Sequence, residues 1–152
     1  MIHVDVICVG KVKEAFFRDA AAEYEKRLAA YMKLRILEVK DEKTEEGATE
    51  AENLKVLKTE AERISQYLDD KALRVALAIE GKEYDSEGFS GWFFKKAAGG
   101  ISHIQFVIGG SLGLHEDIKK GAMLLSFSKM TFPHQLMRVI LLEQLYRAQK
   151  IG

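Results

Sequence analysis

Two kinds of apolar spacing, one typical of strands and one typical of helices, take turns along the chain. Five segments are alternating or continuously apolar and rich in Val and Ile, which is typical of β-strands. They cover residues 2–9, 33–40, 73–79, 101–110 and 123–130. The third, "LRVALAI", is apolar at nearly every position, as expected for a strand that is covered on both faces of a sheet.

In the intervening stretches, apolar residues recur every three or four positions, which predicts amphipathic helices. We place helices at 13–32, at 51–70, from Asp85 or Ser86 to the Gly99–Gly100 pair, at 115–121, and from Pro133 to about Lys150. Because strands alternate with helices throughout, the predicted fold class is α/β, with a mainly parallel sheet of five to six strands flanked by helices. The length suits a single domain, residues 1–152, with one core.

The only proline, Pro133, marks the start of the last helix. Proline lacks the backbone N–H that the first turn of a helix leaves unpaired anyway, and its fixed φ suits that position. It also keeps Phe132 out of the helical conformation. The preceding "SKMTF" is therefore predicted to be an extended loop, with Thr131 or Phe132 near the helix cap. Simple helix punctuation would explain the proline equally well.

The last helix is apolar around most of its circumference, and such a helix has to be buried on more than one side. The apolar residues are Leu136, Met137, Val139, Ile140, Leu141, Leu142, Leu145 and Tyr146. In so short a chain, we expect one side to pack against a second copy in a symmetric dimer. A central core helix is the alternative.

Composition limits the cellular setting. No apolar run approaches the ~20 residues of a membrane-spanning helix, and the N-terminus lacks the features of a secretory signal. The single cysteine, Cys8, lies in an apolar strand, so we expect a buried thiol without a disulfide partner. The sequence contains no cluster of cysteines and histidines, so we predict no metal site. We expect a cytoplasmic protein with no membrane partner.

The formal net charge is zero, but the acidic and basic residues are unevenly distributed along the chain. Residues 41–70 carry ten acidic and four basic side chains, whereas residues 118–152 carry six basic side chains and one acid, Glu143. The basic end could face a polyanion. A neutral chain with scattered lysines does not suit strong binding to arbitrary nucleic acid, and we predict no DNA partner.

A glycine-rich loop, "GGSLG", follows the fourth strand and contains Gly109, Gly110 and Gly113. Glycines between a strand and a helix suggest a nucleotide site, although they also serve plain tight turns. The spacing matches neither the dinucleotide motif nor the P-loop, and Glu116 and Asp117 would repel a phosphate from the next helix. The loop therefore favours a nucleoside-like ligand without phosphates, such as S-adenosylmethionine, over the cofactor of a nucleotide oxidoreductase.

Four stretches together resemble the small bacterial SPOUT-class methyltransferases that modify N3 of a pseudouridine in 23S rRNA: "EYEKRL", "IEGK", "FVIGGSLGLH" and "LSFSKMTFPHQLMRVILLEQLYRA". The likeness covers essentially the whole chain. It implies a SPOUT fold with a C-terminal trefoil knot, S-adenosylmethionine as cofactor, and an obligate homodimer through the last helix. It also implies that the assembled 70S ribosome presents the pseudouridine, in the intersubunit stem-loop of 23S rRNA. Leu112 departs from the family, in which a polar residue is commoner.

Carried over position by position, the resemblance implies eight cofactor contacts: Leu77, Gly109, Phe127, Ser128, Lys129, Met130, Thr131 and Phe132. The extended segment before Pro133 would then form one wall of the cofactor site. No catalytic residue is assigned.

His134 and Arg138 lie four residues apart on one helical face and are the remaining candidates. We consider His134 as a structural cap or as a general base, and Arg138 as a contact to RNA or to the second subunit. Lys129 could reach RNA, and His115 is expected to cap or pack.

Members of the family usually continue past the last helix into a tail that contains a Tyr-His pair, and the sequence ending "RAQKIG" lacks this pair. Two functions therefore stay open. One is an active methyltransferase, and the other is a non-catalytic ribosome-associated module that keeps the cofactor pocket.

Overall fold

A computed structural model describes residues 1–152. Five parallel strands form one sheet in the order β2-β1-β4-β3-β5. The elements are β1 (His3–Val9), α1 (Ala15–Leu28), β2 (Lys33–Val39), α2 (Glu50–Ser65), β3 (Leu73–Glu83), α3 (Ser86–Ala98), β4 (His103–Ile108), α4 (Glu116–Lys119), β5 (Met123–Ser126) and α5 (His134–Ile151). This confirms the predicted α/β class with a parallel sheet of five strands. The strand order is consistent with a trefoil knot, which stays a prediction.

Helices cover both faces of the sheet because strand residues point alternately to either side. Val6 and Cys8 of β1 belong to a core that α1, α3 and α5 close, whereas Ile7 and Val9 belong to a second core under α2 and α4. Cys8 is buried and free, as predicted, and burial raises the pKa of its thiol to about 11. None of the helices combines the length and the apolar character that crossing a membrane requires.

Strand β3 extends beyond the predicted residue 79 because it contains a bulge. Leu77 and Lys82 both pair with Leu125 of β5, so the four residues between them leave the sheet and the strand then resumes. Gly81 makes the return possible, since a Cβ at this position would lie 2.6 Å from the carbonyl carbon of Leu124. The bulge pushes residues 78–81 outwards at the carboxyl end of the strand.

The segment before α5 is a loop, as predicted, but it bends at Phe127 and at Lys129 and Met130 instead of running extended, and two boundaries also differ. Pro133 is the N-cap of α5 and the helix begins at His134, one residue later than predicted; Thr131 and Phe132 lie just before the cap, as expected. Strand β5 ends at Ser126 rather than near residue 130, because the Ser126 hydroxyl donates to the carbonyl oxygen of Ser128 and turns the chain. The first helix is also shorter than predicted, at residues 15–28.

A polar network centred on the buried Asp5 joins three strands on the side of α2. The Asp5 carboxylate accepts hydrogen bonds from the Arg35 guanidinium at 3.0 and 3.1 Å and from Gln105 Nε2 at 3.0 Å, and it contacts His103 Nε2 at 2.7 Å. Burial acts to raise the pKa of Asp5, but these hydrogen bonds outweigh it and hold the pKa below its usual value. Asp5 is therefore an ionised structural residue.

Candidate active site

A cavity of about 380 Å³ lies at the carboxyl ends of β3, β4 and β5. In open parallel sheets, this is the edge at which ligands bind. Three chain segments enclose the cavity: residues 77–80 of the bulge, 110–114 of the glycine loop, and 125–132 before α5. The lining is apolar except for four hydroxyl groups, backbone atoms and one ion pair. It can therefore accept a flat apolar ring system and a limited number of polar groups.

The glycine loop forms its wall by folding back on itself. The amide of Gly113 donates to the carbonyl oxygen of Gly110 at 3.0 Å, and Gly113 has a φ of 82°, a conformation that favours glycine. A Cβ on Gly109 would lie 2.3 Å from the Gly113 carbonyl oxygen, so no other residue fits there without displacing the loop. His115 then caps α4 by accepting a hydrogen bond from the Asp117 amide at 2.9 Å, which confirms the capping role expected for it.

The opposite wall is the loop between β5 and α5, which we call the wall segment. The Ser128 hydroxyl accepts a hydrogen bond from the Met130 amide at 3.0 Å, which shapes the segment locally. The structure places six of the eight predicted cofactor residues in the cavity lining: Leu77, Phe127, Ser128, Met130, Thr131 and Phe132. The other two are not in the lining. Gly109 lies behind the glycine loop that it shapes, and Lys129 is exposed to solvent.

An ion pair at the cavity was not predicted from the sequence. Lys119 Nζ, at the end of α4, lies 2.8 Å from Glu80 Oε1 in the bulge of β3, and both residues line the cavity. The hydrogen bond from Lys119 holds the pKa of Glu80 below its usual value. The motif "IEGK" contains this glutamate, but its partner lies 39 positions away and follows a different loop. Only the packing of α4 beside β3 brings them together.

Arg138 is not positioned to contact RNA or a second subunit from the surface. Its residue exposure is 5%; one guanidinium nitrogen lies 2.7 Å from Glu38 Oε2, and another donates to the Gly10 carbonyl oxygen at 3.1 Å. In the single chain, this residue joins α5 to the ends of β1 and β2. The charge predicted to face a polyanion is thus used inside the protein.

His134 lies on the side of α5 that faces β1, outside the cavity lining. Its ring packs against Gly10, where an added Cβ would lie 2.9 Å from the ring. Burial lowers the pKa of His134, and the positive charge of Arg138 lowers it further. The imidazole is therefore neutral near pH 7, and its closest described contact is structural.

A model of the family described as predicted SPOUT methyltransferases matches residues 2–152. The chain belongs to the SPOUT methyltransferase family. A protein of Bifidobacterium adolescentis named ribosomal RNA large subunit methyltransferase H is 56% identical over 152 residues, which cover 99% of this chain and 96% of the relative. Proteins of the same name from Bifidobacterium animalis subsp. lactis and Streptococcus uberis are 54% and 50% identical, over 99% and 97% of this chain and 96% and 93% of theirs.

A solved structure of a probable methylase family protein from Haemophilus influenzae has the same fold. The TM-score is 0.55 at 12% sequence identity, and the match covers 97% of this chain and 67% of that one. At this identity, the likeness concerns the fold alone. It supports the SPOUT arrangement of the sheet and helices.

In this SPOUT methyltransferase, three of the six basic residues after position 118 (Lys120, Lys129 and Lys150) are in no ion pair, and further unpaired lysines line a second cleft. Of the basic residues after position 118, Lys119 and Arg138 are paired internally and Arg147 pairs with Glu143. A second cleft of about 380 Å³, at the ends of β1 and β2, is lined by the exposed residues Lys11, Lys13 and Lys40. None of these three lysines is in an ion pair.

The lysine cleft, defined as the cleft lined by Lys11, Lys13 and Lys40, is connected to the candidate active site. The amide of Lys13 donates to Gln135 Oε1 at 2.8 Å, which ties the cleft to the first turn of α5. That turn directly follows the wall segment 125–132. Two acids, Glu38 and Asp41, also line the cleft, but Glu38 is neutralised by Arg138. The cleft and the cavity share one edge of the sheet.

Proposed function

We propose that this chain is an S-adenosylmethionine-dependent methyltransferase that methylates N3 of a pseudouridine in 23S rRNA. Its substrate would be the intersubunit stem-loop in the assembled 70S ribosome, and its setting the cytoplasm. The observation that carries the proposal is the cavity enclosed by the bulge, the glycine loop and the loop before α5 in a chain of the SPOUT family. The names of the relatives support a large-subunit rRNA substrate.

The residues of the cavity fit S-adenosylmethionine. Apolar side chains such as Leu77, Phe127 and Met137 offer surfaces for the adenine ring, and the glycine loop allows close approach of backbone atoms. The N-terminus of α4 does not favour a phosphate, because this helix opens with Glu116 and Asp117. When bound, this cofactor supplies an electrophilic methyl group on a sulfonium.

The contribution of the protein to methyl transfer is mainly alignment. Transfer to a nitrogen is an in-line displacement, so holding both reactants in one geometry accounts for much of the acceleration. The two walls would fix the donor side, and residues of the wall segment would exclude water from it. These roles require no charged catalytic residue in the cavity.

The N3 proton of pseudouridine needs an acceptor, and the cavity of one chain offers a poor one. Glu80 is the only carboxylate in the cavity lining. The hydrogen bond from Lys119 lowers the pKa of Glu80, and a carboxylate with a lowered pKa is a weaker base. We propose that the site is completed in a homodimer through α5. Half-buried Leu136, Val139 and Ile140 on that helix support such an interface, since they remain only partly covered in the single chain.

We propose that the lysine cleft holds the rRNA backbone while the target base enters the cavity. Lysines contact phosphates as positioning groups and carry no sequence information. The exposed Lys129 on the wall segment would extend the same basic path towards the cavity. Arg138 has no part in this surface because it is buried.

The first experiment measures cofactor binding by isothermal titration. Saturable binding of S-adenosylmethionine is expected for the native chain and is abolished in Gly109→Trp, since even a Cβ at this position would collide with the Gly113 carbonyl. Gly91→Trp is the matched control, because an added Cβ on Gly91 meets nothing within 4 Å. Absence of binding to the native chain would contradict the proposal.

The second experiment measures tritiated methyl transfer to ribosomes that lack the modification. Transfer to 70S particles and little transfer to free RNA is the expected result. Binding of cofactor and ribosome without transfer would instead support the non-catalytic module.

The third experiment tests the lysine cleft. We expect Lys11→Gln combined with Lys13→Gln to weaken binding to ribosomes and to reduce the slope of log K against log salt by about 1–2. The control replaces Lys33 and Lys71, exposed lysines at the opposite edge of the sheet, and should leave the slope unchanged. An equal effect of both pairs would refute a specific role for the cleft.

A further inference from the structure

Glu80 and Lys119 are the only charged side chains that line the candidate active-site cavity. They come from separate elements and meet at 2.8 Å across its border. Lys119 is the more enclosed of the two, with a side-chain exposure of 21% against 50% for Glu80. The remaining lining is apolar or carries hydroxyl groups, so the cavity has one charged end and one apolar side.

The charged end is firmly anchored. Ile118 is fully buried, and the guanidinium of Arg74 donates to the carbonyl oxygens of Ile118 and Lys120 at 3.2 Å each, so the backbone on both sides of Lys119 is held. Glu80 sits in the bulge of β3, whose two ends both pair with β5. A pair whose flanking backbone is hydrogen-bonded on both sides can present its charges to a ligand at reduced entropic cost.

An ammonium beside a carboxylate is complementary to a zwitterion. The proposed cofactor ends in an amino acid that carries an α-ammonium and an α-carboxylate, whereas its adenine suits the apolar side of the cavity. We propose that Glu80 binds the α-ammonium and Lys119 binds the α-carboxylate, so that the cavity selects adenosyl amino acids over nucleosides that lack this end. This inference rests on the proposed function.

When the cofactor binds, the ligand ammonium replaces Lys119 as the partner of Glu80, and the ligand carboxylate replaces Glu80 as the partner of Lys119. No proton or covalent bond has to move. A solvent-exposed ion pair with only a structural role would contribute little to stability or binding. In contrast, charge-assisted hydrogen bonds to a ligand in a partly enclosed cavity are among the stronger polar contacts.

The test compares binding of S-adenosylhomocysteine with binding of 5′-methylthioadenosine by isothermal titration. Both ligands lack the sulfonium charge, and they differ in the amino acid end. The native chain should bind S-adenosylhomocysteine at least about tenfold more tightly, a difference of ~1.4 kcal/mol. Lys119→Met and Glu80→Gln should each weaken S-adenosylhomocysteine about tenfold and change 5′-methylthioadenosine less than about twofold.

Lys120→Met and Glu83→Gln are the matched controls, since both residues neighbour the pair but neither lines the cavity. They should leave both affinities unchanged, and thermal unfolding verifies that every variant is folded. Equal weakening of both ligands by Lys119→Met or Glu80→Gln would overturn the inference, because the pair would then act on the nucleoside or on the loop structure. Unchanged affinities would overturn it as well. If the native chain binds neither ligand nor S-adenosylmethionine, the proposed function fails together with it.

Discussion

The ion pair between buried Arg138 and partly exposed Glu38 allows a decisive test between a structural and a functional role for Arg138. The proposed perturbation is Arg138→Met, with Glu38→Gln and the double variant completing a thermodynamic cycle. Methionine keeps most of the length of the arginine stem and removes the charge. We expect all three variants to be destabilised, because the Arg138 guanidinium donates hydrogen bonds to both the Glu38 carboxylate and the Gly10 carbonyl oxygen and so joins α5 to the sheet.

The magnitude follows from how much solvent each partner retains. Removing one member of a buried ion pair costs about 3–5 kcal/mol when the other is left uncompensated. The Glu38 side chain is 39% exposed, so water stabilises it when Arg138 is removed, and we expect about 2–3 kcal/mol for Arg138→Met. The Arg138 side chain is only 6% exposed, so Glu38→Gln strands a buried charge and should cost at least as much.

The assay is urea unfolding at a fixed protein concentration, which keeps any self-association constant. In the double variant no charge is left uncompensated, so its cost should be less than the sum of the single costs by about 1–3 kcal/mol. In thermal unfolding, a chain of this size should lose about 2–4 °C for each kcal/mol.

A different outcome would refute the structural reading. If Arg138→Met unfolds within about 0.5 kcal/mol of the native chain but no longer binds ribosomes, then the guanidinium acts at a surface. Additive single effects would likewise contradict a direct pair between Arg138 and Glu38.

Three further predictions concern the scaffold. Gly91→Ala should stabilise the chain by about 0.5–1 kcal/mol in urea unfolding, because Gly91 lies inside a helix with free space around it. Gly81→Ala should destabilise it by about 1–3 kcal/mol, because the new methyl group meets the backbone of Leu124. A change of the same sign in the free energy of unfolding for both variants would contradict this. Asp5 has a lowered pKa, so its contribution is present above its unfolded pKa and is lost as pH falls through the folded value. Asp5→Asn should therefore lower stability at pH 7 and flatten the loss of stability below about pH 4, and an unchanged acid profile would count against the network. The pKa of His134 is lowered by burial, so its ring signals in NMR should titrate below the usual histidine range of about 6.5; titration at or above that range would show that the ring is solvated.

Local pattern was sufficient for much of the architecture. The apolar run at residues 73–79 identified a strand that is covered on both faces at Val75 and Ala76, although Ile79 is exposed in the bulge, and Pro133 marked the end of the loop before the last helix. Apolar positions alternate in strands and recur every 3.6 residues in helices, because each element buries one face. This spacing depends only on residues that are near one another in the chain. For that reason the element types were predictable even where their ends differed by several residues.

The sequence by itself determined the fold class, the family, and the chain segments that form the walls of the candidate site. Only the tertiary structure decided which charges meet. It paired Lys119 with Glu80 at the cavity, buried Arg138 against Glu38, and left Lys11, Lys13 and Lys40 unpaired in the lysine cleft. The physical reason is that a charged side chain looks the same in sequence whether it is solvated or paired, and its partner is set by the packing of elements that are remote along the chain.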